Sequence, residues 1–139
     1  SRVPMDEHLA RHKLADLFLD TFTYNAHTTA TEALWTGLPV VTKAGKGFSA
    51  RAAASLLTAA ALPELITETE QEYEELILHL ASNPGRLAQV RKKLADNRLS
   101  TPLFNTERYT RHLENGYEQA YQRYFDGKLP RTIVVSENC

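Results

Sequence analysis

Residues 14 to 39 read LADLFLDTFTYNAHTTATEALWTGLP. The short apolar run Leu17-Phe18-Leu19 has the pattern of a buried strand, and Ala33-Leu34-Trp35 starts a helical pattern that ends before Gly37. The polar turn between them, residues 25 to 32, places a histidine and two consecutive hydroxyl residues at the start of that helix. Free amide groups and the positive end of the helix dipole favour an anion there. The sequence therefore predicts a strand, an anion-binding turn and a helix, in that order.

A second predicted strand, residues 38 to 42, makes this segment a βαβ unit with parallel strands. Ligands of such open sheets bind beyond the carboxyl ends of the strands, which is where the turn lies. Leu65-Ile66-Thr67 indicates a short third strand. The predicted class is α/β, with two or three parallel strands flanked by about five helices. Because a complete doubly wound domain has about five or six strands, the first half of the sheet is expected to lie outside this chain.

Helical patterns are predicted over five further stretches: residues 6 to 14, 50 to 60, 70 to 81, a helix opened by Pro84, and residues 106 to 125. Asp6 and Ser49 are the expected N-caps of the first two. The third helix has capping-box spacing at Thr67/Glu70 and at Thr69/Glu72.

The C-terminal part carries two expectations about packing. Residues 98 to 105 are predicted to be extended and to place Leu103 and Phe104 in the core. The last helix has a largely aromatic stripe, which is expected to pack across the core or against a neighbouring domain: Tyr109, Leu113, Tyr117, Ala120 and Tyr124. The predicted organisation is one domain over residues 1 to 126, followed by a linker or disordered tail over residues 127 to 139.

Composition excludes several classes of protein. Of the 139 residues 42% are hydrophobic and 24% charged, as in ordinary globular domains. A net charge of -1 provides no basic field to attract nucleic acid or an anionic membrane. The single cysteine, Cys139, excludes a disulfide framework and a cysteine-based zinc site, and fits a cytoplasmic protein. No apolar run approaches the roughly 18 residues of a membrane span. Since the chain begins at Ser1 within an α/β pattern, it is expected to be a piece of a longer protein.

Several charged residues allow more than one interpretation. His8 and His12 lie one helical turn apart, but no third metal ligand is evident, so no metal site is expected. Arg51, in the first turn of its helix, suggests an anionic partner or a packing salt bridge. Glu32 has capping-box spacing with Thr29 and is also a suitable acceptor for ligand hydroxyl groups. The basic cluster at residues 91 to 93 is expected to face solvent.

Two groups of residues form a combined pattern. The first comprises Leu14-Ala15-Asp16, Leu19-Asp20-Thr21, Asn25, His27-Thr28-Thr29, Leu34-Trp35, Gly37, Pro39, Val41-Thr42, Gly45, Arg51 and Ala54-Ser55; the second comprises Pro102-Leu103-Phe104-Asn105-Thr106, Tyr109-Thr110, Leu113-Glu114 and Tyr117. With these residues the chain resembles the C-terminal catalytic lobe of the protein O-GlcNAc transferase family, over roughly residues 3 to 125.

The resemblance implies the latter half of the C-terminal Rossmann-like lobe of a GT-B glycosyltransferase, usually preceded by tetratricopeptide repeats. The parent would be an inverting, metal-independent enzyme without a cofactor, moving GlcNAc from UDP-N-acetylglucosamine to Ser or Thr of proteins. This chain alone would be inactive. Relatives that transfer glucose from UDP-glucose to asparagine or fucose from GDP-fucose to serine, or a non-catalytic nucleotide-sugar-binding scaffold, are the alternatives.

The resemblance also implies site residues. His27, Thr28 and Thr29 match the residues that bind the diphosphate, Glu32 stands where the family has a ribose-binding aspartate, and His8 and Arg11 match the uracil and ribose side of the pocket. Met5 stands where the family commonly has a lysine. No catalytic residue and no metal ligand is assigned within the chain.

Overall fold

The computed structural model describes residues 3–136. The described chain forms helices and strands in the following order: α1 Met5–Arg11, β1 Phe18–Leu19, α2 Thr28–Thr36, β2 Val40–Lys43, α3 Ala52–Ala59, β3 Ile66–Thr67, α4 Glu70–Ser82, α5 Pro84–Asn97 and α6 Thr106–Phe125. Single turns of 3-10 helix cover His12–Leu14, Pro63–Leu65 and Pro102–Phe104. The α/β class predicted from the sequence is confirmed. The chain divides into two compact units between Leu103 and Phe104, and the boundary proposed at residue 126 stays a prediction.

The three strands form one parallel sheet in the order β1-β2-β3. Phe18 pairs with Val40 and Thr42 pairs with Ile66, so the predicted third strand is present. The prediction that β1 is buried on both faces is wrong, because Phe18 is half-buried and Leu19 is 52% exposed. Strand β1 lies at an edge of the described sheet and lacks a neighbour on its outer side.

The core of the first unit lies around the central strand β2, where Val40 and Val41 are fully buried. The other large side chains that are almost completely buried come from the surrounding helices and turns: Leu34, Leu57, Leu62, Leu65, Leu80 and Leu94. Helix α2 ends at Gly37, whose φ of +88° is in the left-handed region that favours glycine. The amide of Leu38 donates to the carbonyl of Ala33 at 2.9 Å, which turns the chain directly from α2 towards β2.

The expected N-caps of α1 and α3 are both wrong. Helix α1 begins at Met5, so Asp6 already lies in its first turn. Helix α3 begins at Ala52 after a tight loop, in which Gly45 is needed because a Cβ there would lie 2.5 Å from the Cβ of Ala50. Since that loop supplies Arg51 at the N-cap position, Ser49 lies too early in the chain to cap α3.

Only one of the two candidate capping boxes forms at the start of α4. Thr69 and Glu72 bond each other's backbone amides reciprocally. Thr67 instead belongs to β3, where its hydroxyl donates to the carbonyl of Thr42 at 3.1 Å, and Glu70 accepts a hydrogen bond from Lys43 Nζ at 3.0 Å. Thr67 and Glu70 are therefore both bonded to residues of β2 and do not form a capping box with each other.

Helix α5 begins at Pro84 and turns its apolar residues inward, as predicted. Its basic cluster is not simply a solvated face. Arg91 Nη2 donates to the carbonyl of Ala15 at 2.9 Å and to Asp16 Oδ1 at 3.0 Å, and Lys93 Nζ donates to Glu64 at 2.7 Å. These contacts fasten α5 to the segment before β1 and to the turn before β3.

The prediction that residues 98 to 105 are extended is wrong. The chain winds compactly after α5, because the Thr101 amide donates back to the Asn97 carbonyl at 3.0 Å, and a 3-10 turn follows over Pro102–Phe104. Leu103 and Phe104 are half-buried and do not belong to the buried core.

Helix α6, in the second unit, has the predicted bounds. Asn105 caps it by accepting the Arg108 amide at 2.9 Å. None of its residues is buried, and Tyr117 and Tyr124 are 66% and 76% exposed. The prediction that the aromatic stripe packs across the chain's own core is therefore wrong. Its packing against a neighbouring domain stays a prediction. Residues 128–136 follow without helix or strand.

Candidate functional site

The turn that joins β1 to α2 is fixed by a buried acid, Asp20, at the carboxyl end of β1. Asp20 is 4% exposed and both of its carboxylate oxygens are used: Oδ1 accepts the Ala26 amide at 2.7 Å and Oδ2 accepts the Thr42 hydroxyl at 2.6 Å. Its backbone carbonyl accepts the Tyr73 hydroxyl at 2.8 Å. One side chain thus ties the turn to β2, and the same residue's backbone anchors α4.

Asn25, which is 1% exposed, connects the same turn to α3. Its Nδ2 donates to the carbonyl of Thr21 at 2.7 Å, and its Oδ1 accepts the Ala53 amide at 3.3 Å. Its own amide donates to the carbonyl of Ser49 at 2.8 Å. Asn25 therefore supplies the N-terminal cap of α3 from a distant part of the chain.

Helix α2 begins immediately beyond this turn with an uncapped N-terminus. His27 occupies the N-cap position, and its side chain makes no capping hydrogen bond. The following residues, Thr28 and Thr29, are exposed. The first amides of an α-helix have no intrahelical acceptor, and the dipole makes this end positive. The first amides of α2 and the hydroxyls of two exposed threonines thus lie together at the carboxyl edge of the sheet, directly after His27.

His27 contains an unpartnered polar atom. Its Nε2 is buried and has no hydrogen-bond partner among the described residues. Two aromatic rings hold the imidazole: Tyr24 stacks on it at a centroid distance of 5.0 Å and an interplanar angle of 12°, and Phe48 meets it edge-on at 6.1 Å and 88°. A buried polar atom without a partner is costly, and a ligand atom would relieve that cost.

A second pair of predicted site residues meets at the end of residues 25 to 32, the turn that is called the anion turn after its predicted role. His8 Nε2 on α1 lies 3.0 Å from Glu32 Oε2 on α2, and the Glu32 side chain is 19% exposed. Glu32 therefore does not form a capping box with Thr29, which lies at the second position of α2. Its second oxygen, Oε1, makes no hydrogen bond to any residue in the described range and is free to accept one from a ligand.

Three other residues that the sequence singled out lie apart from the His8–Glu32 pair or have no described partner there: Arg11, Met5 and Arg51. Arg11 pairs with Glu7 on its own helix at 3.2 Å, and no described contact joins it to His8 or Glu32. Met5 opens α1 and is 63% exposed. Arg51 is exposed and forms no ion pair within residues 3–136, so its packing salt bridge is not observed.

A cavity of about 510 Å³ adjoins the anion turn between α2 and α3. Its walls combine apolar side chains with hydroxyls: His27, Thr28, Thr31, Phe48, Ala52, Ser55 and Leu56. Within residues 3–136 no three His, Cys, Asp or Glu side chains cluster as a metal site would require. None of the described helices is long and apolar enough to cross a membrane.

Asp20 and Asn25 belong to the sequence pattern that carries the family resemblance, but the sequence assigned neither of them a role, and Tyr24 was not singled out. The available signal was the position of Asp20, a single acid directly after a buried-strand pattern, where parallel sheets gather polar groups. Tyr24 gave no signal, because an aromatic residue in a polar turn has no periodic pattern. The structure assigns all three to the support of the anion turn.

Comparisons with known proteins match this architecture. The model of glycosyl transferase family 41 matches residues 1–113. A probable UDP-N-acetylglucosamine-peptide N-acetylglucosaminyltransferase SPINDLY of Hordeum vulgare is 40% identical over 89% of this chain and 13% of that protein. The probable enzyme SEC of Arabidopsis thaliana is 38% identical over 95% of this chain and 14% of that protein.

Among solved structures, an O-GlcNAc transferase mutant of Thermobaculum terrenum matches with a TM-score of 0.80 and 38% identity, over 86% of this chain and 23% of that one. The chain therefore spans about one seventh of the length of these two plant relatives. The family model covers most of the chain, the two plant relatives are similar to it in sequence, and the Thermobaculum terrenum structure is similar to it in fold. The chain belongs to glycosyl transferase family 41.

Proposed function

We propose that this chain binds the UDP part of a UDP-sugar, and that the protein to which it belongs is an inverting glycosyltransferase moving GlcNAc from UDP-N-acetylglucosamine to Ser or Thr of proteins. The observation that carries the proposal is the uncapped start of α2 with the buried, unpartnered Nε2 of His27 beside it. Named relatives at 40% and 38% identity support the choice of donor and acceptor.

The diphosphate would lie against His27, Thr28 and Thr29. When the glycosidic bond to the sugar breaks, negative charge grows on the departing diphosphate, so donors already aimed at it stabilise the transition state more than the ground state. The helix amides and the two hydroxyls are such donors, and they are held in place by Asp20 and Asn25. This arrangement supports catalysis without a metal ion or other cofactor.

The nucleoside would lie on the side of α2 that carries Glu32. The free Oε1 of Glu32 would accept a hydrogen bond from a ribose hydroxyl, while His8 holds Oε2. His8 and Arg11 would face the uracil and ribose, which requires Arg11 to leave its pair with Glu7. That pair joins two exposed side chains, so the cost of breaking it is about 0 to 1 kcal/mol.

The remaining parts of the machinery would lie outside these 139 residues, since the chain spans 13% and 14% of the two plant relatives. We place there the facing GT-B lobe, the catalytic base, the acceptor site and the tetratricopeptide repeats that choose protein substrates. A cytoplasmic location is part of the same proposal, supported by a single cysteine at the chain end.

A titration of the 139-residue chain with UDP, followed by amide chemical shifts, tests the proposal. Shifts are expected at residues 27 to 32, and substituting both Thr28→Ala and Thr29→Ala is expected to weaken binding by about tenfold or more, because a hydrogen bond to a charged group is worth about 1.5–3 kcal/mol. Thr110→Ala, an exposed threonine on α6, is the matched control. No shifts at millimolar UDP would overturn the proposal.

Glu32→Gln separates the ribose contact from the diphosphate contact. The substitution removes the charge that strengthens a hydrogen bond to ribose. UDP binding is expected to weaken, whereas inorganic pyrophosphate, which has no ribose, is expected to bind at least as well as it does to the unsubstituted chain. Equal weakening of both ligands would show that Glu32 supports the fold of the turn instead of contacting ribose.

A further inference from the structure

We infer that Tyr24 is a positioning residue that orients the imidazole of His27 towards the bound phosphate. This inference deepens the proposed function and rests on it for the identity of the ligand. Tyr24 itself would touch no reacting atom, since its ring acts through His27.

The stack is the contact that defines the ring plane of His27. No described residue hydrogen-bonds the buried Nε2 of the imidazole, so no polar partner of that atom sets the ring plane. Tyr24 lies nearly parallel to it, 12° apart at 5.0 Å, and Phe48 stands perpendicular to it at 88°. Offset-stacked and edge-on arrangements are both favourable for aromatic rings. Together the two rings limit rotation of the imidazole about its side-chain bonds.

The backbone on both sides of Tyr24 is fixed, which makes the ring a fixed support. The Thr21 hydroxyl donates to the Tyr24 carbonyl at 2.6 Å, and the Asn25 amide donates to the Ser49 carbonyl at 2.8 Å. Tyr24 is nevertheless 66% exposed as a residue. A large aromatic side chain gains little hydrophobic stabilisation at such exposure, so burial in the core does not account for it.

The orientation has a direct chemical consequence. The Nε2 atom of His27 is buried and unpartnered beside the uncapped start of α2. If the ring rotated freely, Nε2 would face the phosphate for only part of the time, and each binding event would have to fix that rotation. The stack with Tyr24 fixes it in advance, so a ligand with phosphate groups gains affinity that a ligand without them does not.

Three variants test this inference in the 139-residue chain. Tyr24→Ala removes the stack, Tyr24→Phe keeps it, and Thr23→Ala changes the adjacent exposed side chain without touching a ring. The first readout is the chemical shift of the His27 ring protons, which the neighbouring Tyr24 ring displaces through its ring current. The second is the ratio of affinities for UDP and for uridine, which lacks the diphosphate.

With Tyr24→Ala, the His27 ring-proton shifts are expected to move towards those of an unstacked histidine. UDP affinity is expected to fall about three- to tenfold, which matches the energy of one aromatic pair, while uridine affinity changes less than twofold. Tyr24→Phe and Thr23→Ala should behave as the unsubstituted chain does in both readouts.

Unchanged His27 shifts in Tyr24→Ala would overturn the inference, as would an equal fall in UDP and uridine affinity, which would mark a general loss of the turn's structure. If the unsubstituted chain bound no UDP, the proposed function would fail. The His27 ring shifts would still decide whether Tyr24 orients the ring.

Discussion

Replacing Asp20 by alanine is expected to destabilise the first unit strongly. The substitution removes two hydrogen bonds, from the Ala26 amide at 2.7 Å and from the Thr42 hydroxyl at 2.6 Å, and leaves both donors without their partner. Hydrogen bonds to a charged group contribute about 1.5–3 kcal/mol each, so the expected loss in the free energy of unfolding is about 3–6 kcal/mol. Since domains are stable by about 5–15 kcal/mol, such a loss is a large part of the total.

Trp35, the single tryptophan of the chain, lies on α2. Its fluorescence therefore reports the unfolding of this region in urea. A loss of 3 kcal/mol would lower the urea midpoint by about 1–3 M at the slopes usual for small domains. Asp20→Asn keeps an acceptor for the Ala26 amide and is expected to cost less. Asp16→Ala, which removes a carboxylate with an 82% exposed side chain, is the control and should cost about 0–1 kcal/mol. A loss for Asp20→Ala no larger than that of the control would refute the reasoning.

Three further predictions concern binding, pH and catalysis. Met5→Lys should strengthen UDP binding by about 1.4- to fivefold in a low-salt titration, because one exposed charge contributes about 0.2–1 kcal/mol; unchanged affinity would place residue 5 outside the site. Burial, and secondarily the Asp20 charge, raises the pKa of Tyr73, so its contribution to stability is fully present below pH of about 10 and is lost as pH rises through the raised pKa. Alkaline urea unfolding should therefore show a smaller pH dependence for Tyr73→Phe than for the unsubstituted chain. The isolated chain should transfer no GlcNAc in a radiolabelled assay with a peptide acceptor, and measurable transfer would contradict the placement of the base and acceptor site elsewhere.

The fold was predictable where the sequence pattern is local. Four features that depend on residues close in the sequence are present in the structure: the turn after Leu19, the glycine that ends α2, the proline that opens α5 and the Thr69 capping box. The errors at Asp6 and Ser49 have the opposite origin. Ser49 is a suitable capping residue close to α3, but the loop before the helix and the acceptance of the Ala53 amide by Asn25 Oδ1 determine where α3 begins.

The candidate site shows the same division. The strand, the polar turn and the start of α2 are adjacent in sequence and are present in the structure, whereas binding of an anion by this turn stays a prediction. The His8 to Glu32 contact joins residues on different helices, and no spacing rule indicates that their side chains meet at 3.0 Å. The stack of Tyr24 on His27 depends on the exact path of the turn, which hydrogen bonds from Thr21 and to Ser49 determine. Such contacts need the folded backbone, and composition or periodicity alone does not contain them.

Because Asn25 links the turn before α2 to the start of α3, hydrogen exchange at α3 should respond to ligand binding at α2. The Asn25 side chain accepts the Ala53 amide while its backbone belongs to the turn that leads to His27. An amide exchanges its hydrogen with solvent only when its hydrogen bond opens, and a ligand that stabilises the closed turn lowers the frequency of opening. Ligand binding at residues 27 to 29 should therefore slow deuterium uptake at Ala53 as well, although Ala53 is fully buried.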